Sequence, residues 1–129
     1  MHRHLTPPSI RPPFGRYHHA VEVTGPGRLL FVSGQLGMAA DGSVPEDPAA
    51  QAEIAFANVE ACLEQVGMGR EHVVRLTALL TEAEYRVPYM AVRDRWVADP
   101  PPASTLFIVK ALALPAFKVE IEAVAAAPV

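Results

Sequence analysis

In Lys118-Val-Glu-Ile-Glu-Ala-Val124 (KVEIEAV) charged and apolar residues alternate strictly from Lys118 to Ala123. Successive side chains on a β-strand point to opposite faces, which sets Lys118, Glu120 and Glu122 against Val119, Ile121 and Ala123. Such a segment predicts a strand with one face in a core and the other turned outward. Just before it, Thr105–Ala111 (TLFIVKA) is nearly all apolar and reads as a central strand buried on both faces. Asp99 and the three prolines 100–102 end the element that precedes it. That element is predicted as a helix running from Thr81, capped by Glu84 in a capping box, to about Val97, with Pro88 delaying or kinking its start.

Further back, Val73–Leu80 (VVRLTALL) alternates in part, with Arg75 and Thr77 on one face. Pro48–Val66 reads as the first helix, with Asp47 as N-cap and Pro48 at the first helical position. Its apolar stripe is Ala55, Val59, Cys62 and Val66, widened by Phe56 and Leu63, and Gly67 and Gly69 stop it. Residues 37–48 have the composition of a loop. Tyr17–Thr24 and Arg28–Ser33 flank Gly25-Pro26-Gly27 and predict an antiparallel hairpin. The order strand, strand, helix, strand, helix, strand, strand gives an α+β domain: a sheet with two helices on one face. The other face is left uncovered, and another copy of the chain is its expected cover.

The whole is one domain's worth of chain, 129 residues, 50% hydrophobic and 19% charged. Residues 1–13 hold four prolines and no periodicity and are expected to be a flexible arm; residues 14–129 form the single domain. With 11 Lys+Arg against 14 Asp+Glu the chain is mildly acidic, unlike a dedicated nucleic-acid binder. No apolar run approaches the ~18 residues that span a bilayer, and the first residues lack the apolar centre of a secretory signal, so a cytoplasmic protein is expected. A single cysteine, Cys62, excludes a disulfide scaffold.

Few residues announce chemistry. Glu120 and Glu122 point the same way and could share acid and base work, or simply form a solvated face with Lys118 as diagonal partner. Ser33-Gly34-Gln35 lacks the pattern of a nucleophile elbow but can offer a hydroxyl and free backbone N–H groups to a ligand. His18 and His19 fall on opposite strand faces, His2 and His4 lie in the arm, and no Cys or His spacing matches a zinc site. Cys62 and Trp96 read as packing residues.

Taken together, these fragments resemble the YjgF/RidA family, also called Rid or L-PSP. The residues that carry the likeness are Tyr17 with His19-Ala20-Val21, Phe31-Val-Ser-Gly-Gln35, Ala50-Gln51, Phe56-Ala-Asn-Val59 with Leu63 and Gly67, Pro102-Ala103-Ser104-Thr105, Leu114-Pro115 and Val119-Glu-Ile-Glu-Ala123. The likeness spans about residues 14 to 126. It implies a chorismate-mutase-like fold whose sheets, from three copies, form a central barrel in a homotrimer. It also implies clefts between subunits that bind small carboxylates, hydrolysis of enamines or imines to 2-oxo acids and ammonia, and no metal or organic cofactor.

The likeness further assigns Glu120 as the glutamate that holds the attacking water and Tyr17 as the cleft tyrosine; with Ser33 and Gly34 of the strand end and Ser104, Tyr17 makes up the expected substrate-binding positions. The deaminating branch has an arginine after Pro-Ala that grips the substrate carboxylate, and this chain has Ser104 there. A serine cannot neutralise a carboxylate, and losing such a charge-assisted pair costs ~2–5 kcal/mol. Arg16, beside Tyr17, is the expected substitute cation. Two readings follow: an enzyme acting on an imine or similar reactive metabolite, and a non-catalytic trimer that binds or senses a metabolite. The family's older ribonuclease label fits less well, because the chain is acidic and has no basic-aromatic stripe.

Overall fold

The carboxylate of Asp47, held in an extended backbone, accepts the N–H of Ala50 at 3.1 Å, with Pro48 opening the helix. This cap starts α1 (Pro48–Gln65) where the sequence predicts it. Gly67 ends it at φ +71°, in the left-handed region that glycine adopts without strain. The computed structural model describes residues 1–25 and 27–129. The buried stripe of α1 is Gln51, Ala52, Ala55, Phe56, Val59 and Leu63; Val66, expected in it, is exposed beyond the helix end.

Helix α2 (Arg86–Trp96) starts later than expected. The backbone N–H of Thr81 bonds the carbonyl of Lys118 at 3.1 Å, which keeps Thr81 alongside the sheet instead of at a helix cap. A 3-10 turn at Ala83–Tyr85 follows, and Pro88 then falls in the first turn of α2, where a missing N–H costs nothing.

The described residues also form six strands: β1 (His2–Leu5), β2 (Ala20–Val23), β3 (Arg28–Leu36), β4 (Val73–Leu80), β5 (Ala103–Ile108) and β6 (Val119–Ala127). Four of them form a mixed sheet in the order β3-β6-β4-β5, antiparallel except for the parallel β4/β5 pair. The architecture is the expected α+β one, with α1 against β3 and β6 and α2 against α1. On β6, Val119, Ile121, Ala123 and Ala125 are buried among Leu76, Ala78 and Leu80 of β4 and the stripe of α1.

Three expectations need correction. The segment 103–108 is the outer strand, not a central one, because it joins β4 in parallel through α2 and, among the described residues, only the single bridge from His18 to Ala103 lies beyond it; Phe107 and Ile108 are about half exposed. No hairpin joins β2 to β3 among the described residues, and Pro26 of the predicted turn lies outside them. His18 is anchored to β5, its N–H on Pro102 O at 2.9 Å, so β2 starts at the sheet edge opposite β3 and pairs with β1 instead. The amino-terminal arm is therefore tied down over His2–Leu5, with the His2 ring also bonded to Ala126 O at 3.0 Å.

Gln51 joins three segments from inside the core. Its Nε2 donates to Pro45 O at 2.8 Å and Ala116 O at 2.9 Å, and its Oε1 accepts the N–H of Lys118 at 2.9 Å. Gly37 packs so closely against this side chain that any Cβ there would overlap it. At the far end of α1, Glu60 takes two hydrogen bonds from Arg70, at 2.9 and 2.8 Å, and one from the Trp96 indole at 3.3 Å. Those from Arg70 hold its carboxyl below the usual carboxylate range.

Gln51→Leu removes the partner of two carbonyls and one N–H that are part-buried, so urea denaturation should show a loss of about 1–3 kcal/mol. A depressed carboxylate adds stability above its unfolded-state value and loses it as pH falls through the folded one. The Glu60 contribution is thus full at neutral pH and disappears in acid below the ordinary carboxylate range. Glu60→Gln should flatten the acid limb of a stability-versus-pH curve, modestly because the pair is partly exposed.

Candidate functional site

The β3/β6 ladder pairs Val32 with Ala123 and then Gln35 with Ile121, so one extra residue is inserted at Ser33–Gly34. Bulges of this kind re-aim side chains and often lie beside functional sites. Here the bulge meets Glu120, which pairs with Leu36 on β3 and Leu79 on β4. The Glu120 carboxylate occupies the space that a side chain on residue 34 would need, which is the reason for Gly34. Ser33, Gly34 and Glu120 are thus brought together, on the sheet face that no helix covers.

That face carries more polar chemistry than the sequence indicated. A hollow of about 330 Å³ opens beside Ser33, lined also by Arg75, Thr77, Glu122, Phe31 and Val124. The Nη2 of Arg75 donates to Thr105 Oγ1 at 2.8 Å. Around the hollow the face is apolar and open: Phe31 is 72% exposed, Leu29 62% and Phe107 51%. Lys118 does not partner the glutamates; its Nζ bonds Glu46 O at 2.5 Å and stands over the Tyr85 ring.

The remaining expected site residues gather elsewhere, at the start of β5. Tyr17 precedes the His18 bridge to Ala103, and its hydroxyl accepts the Phe14 N–H at 3.2 Å. Arg16 reaches Ala98 O at 3.4 Å and Asp99 at 3.9 Å, so its cation is engaged beside the end of α2. Ser104 pairs in register with Leu76, a core residue, which sets it on the helix-covered face, whereas Thr105 and its partner Thr77 share the open face. Ser104 lies two strands and three residues from Glu120 by register, roughly 14 Å at ordinary strand spacings.

One buried residue near Tyr17 was not legible as a site residue. Arg93 of α2 is 4% exposed, bonds Asp94 at 3.0 Å, and stands 5.8 Å from the Tyr17 ring centroid. Its one sequence signal was its spacing, three positions before Trp96 on the predicted helix. Among the described residues no cluster of His, Cys, Asp or Glu could hold a metal ion. Among the described residues no helix is long and apolar enough to cross a membrane.

Residues 9–127 match the family described as endoribonuclease L-PSP. A RutC family protein of Aquifex aeolicus is 36% identical over 126 residues, which covers 95% of this chain and 98% of that one. The chain belongs to the YjgF/RidA (L-PSP) family. Solved structures agree. The Rid-family protein YyfB of Yersinia pestis superposes with a TM-score of 0.83 at 32% identity, covering 96% of this chain and 97% of that one. RidA from an Antarctic Psychrobacter does so with 0.72 at 29%, covering 95% and 98%. Among the residues that carry the resemblance, Gly34 and Glu120 have a direct geometric reason in this Rid-family chain: one makes room for the other.

That reason is testable by a double-mutant cycle. Gly34→Ala should cost on the order of 1 kcal/mol, because the carboxylate of Glu120 must swing aside, and the loss should vanish in a Glu120→Ala background. Urea denaturation of the four proteins reads the coupling.

Proposed function

We propose that this Rid-family protein hydrolyses an enamine, imine or similar reactive metabolite, with Glu120 positioning the attacking water. The observation that supports this most directly is the packing of the Glu120 carboxylate against the Ser33–Gly34 bulge on the open sheet face. A carboxylate there can accept a proton as water adds to the C=N carbon, and the tetrahedral adduct then expels ammonia to leave a carbonyl product. Ser33 can hydrogen-bond the substrate.

Within one chain Tyr17 and Ser104 stand at the β5 edge and Glu120 at the bulge, so no single copy assembles all the expected groups. A homotrimer in which the open faces pack together would cover Leu29, Phe31 and Phe107 and bring the β5 edge of one copy to the bulge of the next. The cleft between copies is then the site, and the protein needs neither metal nor organic cofactor.

A second reading, a non-catalytic metabolite-binding trimer, is favoured by one observation. Ser104 stands where the deaminating branch has arginine, and Arg16, its expected substitute, is turned to Ala98 and Asp99. Ammonia and 2-oxo-acid release from freshly generated 2-iminopropionate separates the two. Under the hydrolytic reading the native chain accelerates release above the uncatalysed rate, Glu120→Gln lowers it by roughly 100-fold or more, the size of a lost general base, and Arg16→Ala leaves it unchanged. Silence from the native chain, with activity gained in Ser104→Arg, would mean an intact cleft tuned to a different ligand, and binding screens would then test the second reading.

A further inference from the structure

Three imidazoles meet where the amino-terminal strand is tied to the end of the four-stranded sheet. The His4 ring centroid lies 6.2 Å from that of His2, on the same face of β1, and 5.0 Å from that of His18, ahead of β2. The outer two rings are anchored on the strands that flank β4. His2 Nε2 donates to Ala126 O of β6 at 3.0 Å, and His18 Nδ1 donates to Pro101 O, just before β5, at 2.7 Å. A carbonyl only accepts, so each bonded nitrogen carries a proton, and a neutral ring meets that need. All three rings are partly buried by contacts within one chain, so packing other copies on the open sheet face cannot expose them.

Among the described residues nothing compensates a positive charge on His4. From β1 it faces His2, from the segment before β2 it faces His18, and across the ribbon its partner is the apolar Val21. The one carboxylate of the two strands, Glu22, pairs with Arg3 at 3.4 Å, on the ribbon's other face. The groups that flank Val21 from β4 and β2 are Arg75 and His19, again basic. On the β6 and β5 sides stand the Ala126 and Pro101 carbonyls, both already taken. Burial, then the His18 and His2 rings, hold the His4 imidazole below its usual range.

We propose that His2, His4 and His18 form a pH-sensitive clasp, which holds β1 to the sheet end while neutral and releases it when mild acid charges the three rings. The stability that a lowered imidazole contributes is full above its ordinary value of ~6.5 and is lost as pH falls through the folded value. His18 directly follows Tyr17, so release loosens the tyrosine expected in the imine cleft. That consequence rests on the imine reading; the clasp itself does not.

Hydrogen exchange of the full chain at about pH 7.5 and about pH 5.5, read as protection relative to intrinsic rates, tests the clasp. The probes are the amides shared by β1 and β2, together with the Thr24 N–H, bonded to Met1 O at 2.9 Å. Their protection should fall roughly ten-fold or more, the factor for one proton excluded from the closed form over one pH unit below ~6.5. Amides of β4 and β6 should keep theirs. His4→Gln, which cannot titrate, should remove most of the fall, whereas His19→Gln, whose native ring bonds Arg11 O outside the cluster, should keep it.

Equal protection at both pH values, or a fall that His4→Gln leaves intact, overturns the proposal. So does a fall shared by β4 and β6, which is acid unfolding of the whole domain. The His4 ring resonances of the native chain give a second reading that no variant can disturb. Their titration should follow the loss of protection, and a His4 ring that titrates at or above ~6.5 overturns the clasp. Neither measurement needs turnover, so ammonia release, present or absent, bears on the imine reading alone.

Discussion

The hydrogen bond from the Lys118 N–H to Gln51 Oε1 sets where β6 begins, and most of the molecule follows from that register. Side chains on a strand alternate with a period of two, so a slip of one residue would put Glu120 and Glu122 into the core and turn Val119, Ile121 and Ala123 outward. Gln51 is fully buried and its remaining hydrogen bonds go to Pro45 and Ala116, which fixes the loop before α1 and the turn before β6 to the same point. Gly37 lets the backbone after β3 approach that amide. Leaving such buried polar atoms unpaired is more costly than a hydrogen bond is favourable, so one amide can enforce a register that weak strand preferences would not.

With the register set, the two faces of the sheet acquire different chemistry. The helix-covered face of β6 ends in small residues, Ala123 and Ala125 among them, beneath a stripe of α1 that itself includes Ala52 and Ala55. The open face holds Glu120, Glu122, Arg75, Thr77 and Ser33 inside a border of exposed Leu29, Phe31 and Phe107. A border this apolar around a polar centre is the pattern of a surface that functions when covered. The bulge at Ser33–Gly34 then has a clear purpose, since it gives the Glu120 carboxylate a place to lie.

Much of this was readable from local pattern. The alternation of KVEIEAV, the Asp47-Pro48 helix start and the bounds Val73–Leu80 all follow from short-range rules, and the structure agrees at each. The readings that failed concern which segments meet. Thr105–Ala111 is apolar enough for a central strand, yet the parallel crossover through α2 places β5 at the edge. Gly25-Pro26-Gly27 separates two strand-like segments, yet the anchoring of His18 on Pro102 takes β2 to the far edge. Gln51 and Arg93, two buried polar residues, look like ordinary surface positions of a helix until their partners are known.

The sequence by itself determined the element types from β2 onward and the sidedness of β6, because these depend on residues within a few positions of one another, and the α+β class and the family, because these follow from the order of such segments along the chain. Only the tertiary structure decided that Ser33, Gly34 and Glu120 form one group, that Arg16 is engaged by Ala98 and Asp99 while Ser104 faces the core side, and that His2, His4 and His18 meet at the end of the sheet. The reason is physical. Strand order and register join segments tens of residues apart, and they are settled by which arrangement buries the alanine-rich face of β6 under α1 while leaving no buried polar group unpaired along that seam.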